Sequence, residues 1–147
     1  KLNKVLDYKS YLTEIYKNHS LQFAPINSNI SPYDKSTGLK NTAYYYTIFP
    51  NVLLNIAPGR LQTNVVKPTS PNSCVVDFDY YFDEVSDKVI KNDIKFSNEV
   101  QLEDIKICEE VQKRLESRGY NQGRISPQSE KGLYHFQSVL KENLKNG

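Results

Sequence analysis

The sequence predicts an α+β fold in which an antiparallel sheet comes first and long helices follow. Up to residue 82, β-branched and aromatic residues are mixed with polar ones and interrupted by short polar turns, which is typical of neighbouring antiparallel strands. From Asp83 onward, apolar residues recur at the helical period of about 3.6 residues. We therefore expect a curved antiparallel sheet with long C-terminal helices packed on one face.

Three stretches of the N-terminal half are predicted to be extended. Residues 10–26 alternate in the manner of one long strand or a hairpin, and residues 43–58 and 59–68 are further extended segments. Residues 27–41 contain Asn, Ser, Pro, Asp and Gly with little to bury, so they predict a long exposed loop or a lid. This half of the chain therefore supplies most of the sheet.

The segment SCVVDFDYYF, residues 73–82, gives the clearest strand pattern in the chain. One set of alternate positions is largely apolar, and it comprises Cys74, Val76, Phe78, Tyr80 and Phe82. The intervening positions include Asp77 and Asp79, so one face should be buried and the other hydrated. We expect this strand to lie centrally in the sheet.

Three helices are predicted after the sheet. The first covers residues 83–96, and the second begins at Asn98, which forms a capping box with Gln101. Gly119 marks the end of the second helix. Ser126 followed by Pro127 then predicts the start of a final helix. The apolar stripe of that helix consists of Leu133, Phe136, Leu140 and Leu144.

An acidic residue lies on the apolar stripe of the second helix. Asp104, Cys108, Val111 and Leu115 fall on one line of the helix surface, so this face is predicted to pack on the sheet. A buried ionised carboxylate needs a partner. One reading places Asp104 at the rim of the core, bonded to an Arg or Tyr. The other makes it a metal ligand, as in sites with two histidines and one carboxylate.

Composition narrows the functional classes without choosing among them. The 147 residues carry a net charge of +2 with no long like-charge run, so neither nucleic acid nor a membrane surface is indicated. No apolar run approaches the ~18 residues of a membrane span, and a cytoplasmic location is the default. Two scattered cysteines, Cys74 and Cys108, predict free buried thiols. His19 and His135 are too far apart for a local ligand pair.

The conjunction of several short motifs resembles one enzyme family. The motifs are Phe49-Pro50-Asn51, Glu103-Asp104 with Cys108-Glu109 and Val111-Gln112, Gly123-Arg124, and Glu130 with Gly132 and His135-Phe136. Their order and spacing resemble the C-terminal part of the catalytic α subunit of Rieske non-haem iron oxygenases. Within that family they are most similar to the ring-hydroxylating and choline or carnitine monooxygenase-like branch. The resemblance runs from about Tyr8 to Leu144.

The resemblance implies a fold, cofactors and site residues. It implies a helix-grip domain, similar to START and Bet v1 proteins, in which Asp104 is the carboxylate ligand of a mononuclear Fe(II). Such enzymes use O2 to hydroxylate an aromatic ring or a quaternary amine, with electrons from a Rieske [2Fe-2S] cluster and a reductase or ferredoxin. The resemblance also implies a homotrimer in the full-length protein. Asn51, Leu54 and Asn55 are then candidate substrate-lining residues, and His135 is structural.

Departures from the family pattern concern the remaining metal ligands. Neither cysteine belongs to a Cys-x-His or Cys-x-x-His pair, and the two iron-binding histidines of the family occur upstream of the matched region. The chain also begins with lysine and contains no methionine. We expect residues 1–147 to be the C-terminal portion of a single catalytic domain without its Rieske domain, binding neither iron nor cluster alone and being inactive alone.

Two alternative functions remain open from the sequence. Helix-grip domains without metal enclose apolar ligands, so the chain could be a metal-free ligand-binding module. It could also belong to a shortened, non-catalytic relative of the α subunit that serves assembly. An upstream sequence with the Rieske motifs and a paired-histidine helix would favour the oxygenase over both.

Overall fold

The structure of the protein is a computed structural model that describes residues 6–26, 41–83, 86–117, 119 and 122–145. Within these ranges six antiparallel strands form one sheet in chain order, followed by two helices. The strands are β1 Leu12–Ile15, β2 His19–Pro25, β3 Thr42–Ile48, β4 Val52–Ala57, β5 Arg60–Ser70 and β6 Ser73–Phe82; the helices are α1 Asp87–Leu115 and α2 Lys131–Lys145. The predicted α+β layout is confirmed. Neither helix has the length and apolar character needed to cross a membrane.

Tight turns join most of the strands. Residues 10–26 form the hairpin β1–β2, and the extended segment 43–58 is two strands that reverse at the cis Phe49–Pro50 peptide. The turn from β4 to β5 passes through Gly59, whose φ of 78° is a conformation that side chains with a Cβ rarely adopt. The predicted loop 27–41 lies outside the described residues except for Asn41.

The expectation that β6 lies centrally is wrong for the described sheet, because β6 is its last strand. The alternation in its second half is confirmed, with Phe78 and Tyr80 half-buried and Tyr81 exposed. Cys74 is exposed, contrary to prediction. It pairs with Pro68, where the β5–β6 hairpin has run past the end of β4, so little covers it.

The strand register fixes which side chains share each face of the sheet. One row runs across five strands on the same face through Gln22, Tyr45, Asn55, Gln62 and Tyr80. Both helices lie on this face. Ser97 of α1 contacts Tyr80, and Gly132 of α2 lies against Gln22. We call this the inner face of the sheet.

Two helices are present among the described residues where three were predicted, and the first is longer than expected. Residues 87–115 form one continuous helix, so the expected break and the capping box at Asn98 are wrong. The pattern misled because Asn and Ser are tolerated inside a helix when the helix packs on other elements. The final helix begins at Lys131. The predicted start at Ser126 is a preceding turn, in which Glu130 N donates to the Ser126 carbonyl over 3.0 Å.

The apolar core is small and lies toward one end of the sheet. It consists of Leu6, Ala24, Ile26, Ala43 and Ala57, with Tyr11, Tyr45 and Phe96 packed against it. Helix α1 is anchored by its N-terminal half, since its buried residues are Asp93 and Ser97.

The predicted packing of Cys108, Val111 and Leu115 on the sheet is wrong, because all three are exposed. Cys108 lines the wide groove that separates this part of α1 from the strands. The periodic face of the helix was therefore identified correctly at Cys108, but it meets open space instead of a core.

Candidate functional site

A groove of about 1060 Å³ lies between α1 and the inner face of the sheet. Its floor comes mainly from β4, β5 and β6, and its opposite wall comes from successive turns of α1. Cavities that hold small organic ligands have volumes of roughly 300–1,000 Å³. The groove is therefore large enough for such a ligand.

Asp104 lies on the wall of this groove, in the part of α1 beyond its anchored half. The residue is exposed, so the sequence expectation of a fully buried carboxylate is wrong. Partial burial against the groove raises the pKa of Asp104, and the neighbouring Glu103 raises it further. Among the described residues, Asp104 has no hydrogen bond or ion pair. Its carboxylate is thus available to a ligand or a cation.

A buried chain of polar side chains crosses from α1 to the floor of the groove. Arg60 Nη1 donates to Asp93 Oδ1 over 2.8 Å, and both side chains are 6% exposed. Arg60 Nη2 donates to Gln62 Oε1, and Gln62 Nε2 donates to Asn64 Oδ1 over 2.8 Å. Ser97 Oγ also donates to Gln62 Oε1, over 3.1 Å. We call Asp93, Arg60, Gln62 and Asn64 the polar ladder.

The alternation of β5 explains why three members of the polar ladder lie side by side. Arg60, Gln62 and Asn64 are two residues apart, so they point to the same face of the strand. Tyr80 on β6 adds two contacts: its hydroxyl lies 3.0 Å from Ser97 Oγ, and its ring centroid lies 5.7 Å from Arg60 Cζ. The ladder therefore ties α1 to both strands.

The carboxylate of Asp93 is not fully satisfied. Its Oδ2 is buried and has no hydrogen-bond partner among the described residues. Burial raises the pKa of Asp93, and the Arg60 guanidinium opposes that shift through its charge and hydrogen bond. The effect of burial on the pKa is the larger of the two, because only one carboxylate oxygen is paired.

The three expected substrate-lining residues have different positions. Asn55 lines the groove. Asn51 lines a second cavity of about 420 Å³ near α2, and its Nδ2 donates to the Val66 carbonyl over 2.9 Å. Leu54 pairs with Tyr46 and Thr63, on the face of the sheet away from the helices, and it lines neither cavity. Side chains alternate along a strand, so the geometry does not support Leu54 beside Asn55.

The described residues contain no group of three His, Cys, Asp or Glu side chains that could hold a metal ion. His19 stacks on Tyr16 at a centroid distance of 4.5 Å, and β2 directs it away from the inner face with Leu21. His135 is half-buried on α2. Asp104 fits the role of one anionic iron ligand, because its carboxylate is unpaired and lines a cavity. The other ligands would have to come from outside the described part of the chain.

Sequence reasoning missed the polar ladder. The signal was present, because Arg60, Gln62 and Asn64 occupy alternate positions of a predicted extended segment. Asp93 and Ser97 are four residues apart and share a helix face. The partnership of the strand with the helix depends on tertiary packing, which a single sequence does not contain.

Comparison with known proteins identifies the family. The family model described as the ring hydroxylating α subunit, catalytic domain, matches residues 23–146. Choline monooxygenase of Arabidopsis thaliana, named as chloroplastic, is 36% identical over 143 residues, which is 95% of this chain and 33% of that protein. The carnitine monooxygenase oxygenase subunit of Escherichia coli K12 is 28% identical over 92% of this chain and 39% of its own length.

Solved structures agree at the level of the fold. A quaternary ammonium Rieske monooxygenase superposes with a TM-score of 0.80 at 24% identity, over 96% of this chain and 41% of that chain. The same enzyme class in complex with L-carnitine gives a TM-score of 0.71 over 90% of this chain and 36% of that chain. The chain thus spans between one third and two fifths of the length of these relatives. Since residues 23–146 match the catalytic-domain model, the chain belongs to the family of ring-hydroxylating Rieske oxygenase α subunits.

Proposed function

We propose that the chain is part of the terminal oxygenase of a Rieske-type system that hydroxylates a small quaternary ammonium compound. The observation that carries this proposal is Asp104, an unpaired carboxylate on the groove wall in the helix that resembles the family's iron-binding helix.

The lining of the groove favours a cationic substrate. Tyr45, Phe78 and Phe96 present aromatic rings to it, and aromatic faces attract quaternary ammonium groups. The wall formed by α1 and its C-cap residue carries three carboxylates and one ammonium group, on Asp104, Glu109, Glu116 and Lys113. This excess of negative charge attracts a cation, whereas an uncharged aromatic ring gains nothing from it.

Iron in the complete protein would be held by Asp104 together with ligands outside the described residues. When bound, that iron would supply O2 activation, with electrons from a Rieske [2Fe-2S] cluster and a reductase or ferredoxin. Asp104 contributes negative charge, which favours retention of a divalent cation. The inner face of the sheet forms the floor on which the substrate would lie. The homotrimer stays a prediction. The cytoplasmic location also stays a prediction, since the plant relatives are named as chloroplastic.

The test compares Asp104→Ala with wild type in the complete protein. We expect Asp104→Ala to lose mononuclear iron and the oxidation of choline or carnitine, because it removes a ligand. Loss of a ligand weakens binding beyond the ~10 to 100-fold typical of residues that only orient ligands. The Rieske cluster should keep its absorption spectrum.

The matched control is Glu110→Ala. Glu110 lies on the same helix and is exposed, and it does not line the groove. Its replacement should leave iron content unchanged and alter the free energy of unfolding by less than about 0.5 kcal/mol. Full iron content and activity in Asp104→Ala would remove the main support for the proposal.

A further inference from the structure

We infer that Asn64 is a specificity determinant of the groove, and that its side-chain N–H group binds an acceptor oxygen of the substrate. The inference rests on the proposed function only in taking the ligand to be a small quaternary ammonium substrate. It follows from the direction of the hydrogen bonds along the polar ladder.

The direction of the ladder is set by Arg60. A guanidinium group donates hydrogen bonds and accepts none, so the atom of Gln62 that faces Arg60 has to be its oxygen. Ser97 Oγ, at 3.1 Å, contacts this same oxygen. The amide nitrogen of Gln62 is therefore the atom that points along the strand toward Asn64.

The same reasoning fixes the orientation of Asn64. Because Gln62 presents a donor, the Asn64 atom at 2.8 Å from it has to be the acceptor oxygen Oδ1. The Asn64 nitrogen Nδ2 then faces away from Gln62. It has no hydrogen-bond partner among the described residues, although Asn64 is only 7% exposed and lines the groove.

A donor that faces the groove without a protein partner is available to an acceptor oxygen of a ligand. Such a hydrogen bond replaces one to water, so its net contribution is about 0.5–1.5 kcal/mol, which corresponds to roughly tenfold in affinity. Arg60 is matched by Asp93, so the ladder ends in an uncharged donor. The α1 wall of the groove is net negative and opposes an anion. The complementary ligand is therefore a cation that carries an uncharged carbonyl or hydroxyl oxygen.

Sites that hydrogen-bond a substrate oxygen discriminate strongly against analogues without it. Acetonyltrimethylammonium and isobutyltrimethylammonium form a suitable pair of probes. Both are monocations of similar shape, and they differ in a carbonyl oxygen replaced by a methyl group. We expect the complete wild-type protein to bind the carbonyl compound about tenfold more tightly in calorimetric titration.

Asn64→Asp tests the role of the residue itself. The carboxylate keeps an acceptor for Gln62 Nε2 but presents an oxygen to the groove in place of the N–H group. The preference for the carbonyl compound should disappear or reverse. Asn98→Asp makes the same change at an exposed position of α1 outside the groove, and it should keep the wild-type preference.

Equal binding of the two probes by wild type, or binding of neither, overturns the inference. So does an unchanged preference in Asn64→Asp. If that variant fails to fold, Asn64→Ala takes its place, because it deletes the N–H group without adding a charge, and it should lose the preference as well. The titration measures binding alone and depends on neither iron content nor turnover. Oxygenase activity can therefore be absent while the binding preference holds, and the binding preference can be absent while oxygenase activity holds.

Discussion

Replacement of Asp93 tests how the polar ladder holds α1 on the sheet. Asp93 and Arg60 are both 6% exposed in their side chains and are joined over 2.8 Å. Asp93→Ala removes the acceptor and leaves a buried guanidinium that has lost its carboxylate but still contacts Gln62 and the Tyr80 ring. Breaking a buried ion pair costs roughly 3–5 kcal/mol. Because Arg60 keeps these contacts, we expect Asp93→Ala to lower the free energy of unfolding by about 3 kcal/mol, near the lower limit of that range.

Two further variants separate charge from hydrogen bonding. Asp93→Asn keeps an oxygen at the position of Oδ1, and burial already disfavours the charged form of Asp93, so we expect a change within about 1 kcal/mol. The double variant Arg60→Leu with Asp93→Leu removes both charges. It should be about as stable as wild type or more stable, because apolar replacements of buried pairs avoid the desolvation cost.

Equilibrium unfolding in urea, followed by far-UV circular dichroism, measures these differences, since the chain contains no tryptophan for fluorescence. The pH dependence has a defined sign. The folded pKa of Asp93 lies above its ordinary value of 3.8, so the stability associated with this group is present below that value. It is lost as the pH rises through the folded pKa, and Asp93→Asn should abolish that loss. An Asp93→Ala variant within 1 kcal/mol of wild type would refute the anchoring role.

The remaining predictions concern Asp104 and the thiols. A metal ligand has to be deprotonated, so mononuclear iron in the complete protein should dissociate on acidification. Iron content after dialysis at a series of pH values measures this, and an iron content independent of pH would contradict it. Cys74 and Cys108 are free and exposed, so both should react with a thiol reagent in the folded protein without denaturant. Reaction of only one thiol before unfolding would show that the other is covered.

The strands were largely predictable from the sequence, because side-chain alternation and short turns are local properties. The segment 73–82 illustrates the limit of such reasoning. Its alternation predicts an extended strand with two unlike faces, and Phe78 and Tyr80 agree. Its place in the sheet depends on which strands pair with it, and alternation alone contains no such information.

The helices and the site show where tertiary packing dominates. The stripe containing Asp104 and Cys108 was found from the period, and both residues line the groove. Periodicity cannot distinguish a helix face that packs on a sheet from one that borders a cavity, since both are apolar. The orientation of Asn64 was beyond reach for a different reason. It follows from a series of contacts that begins on another element, at Asp93.

The continuity of α1 has a mechanical consequence for the site. The helix is held at Asp93 and Ser97, and Asp104 lies seven residues beyond Ser97, roughly 10 Å along the helix axis at 1.5 Å per residue. That distance acts as a lever arm. A tilt of about 6° at the anchor would carry the Asp104 carboxylate by about 1 Å, and a misplacement of that size in a reacting site can cost ~100-fold in rate. Substitutions beneath the anchored end can therefore displace a carboxylate that they never touch.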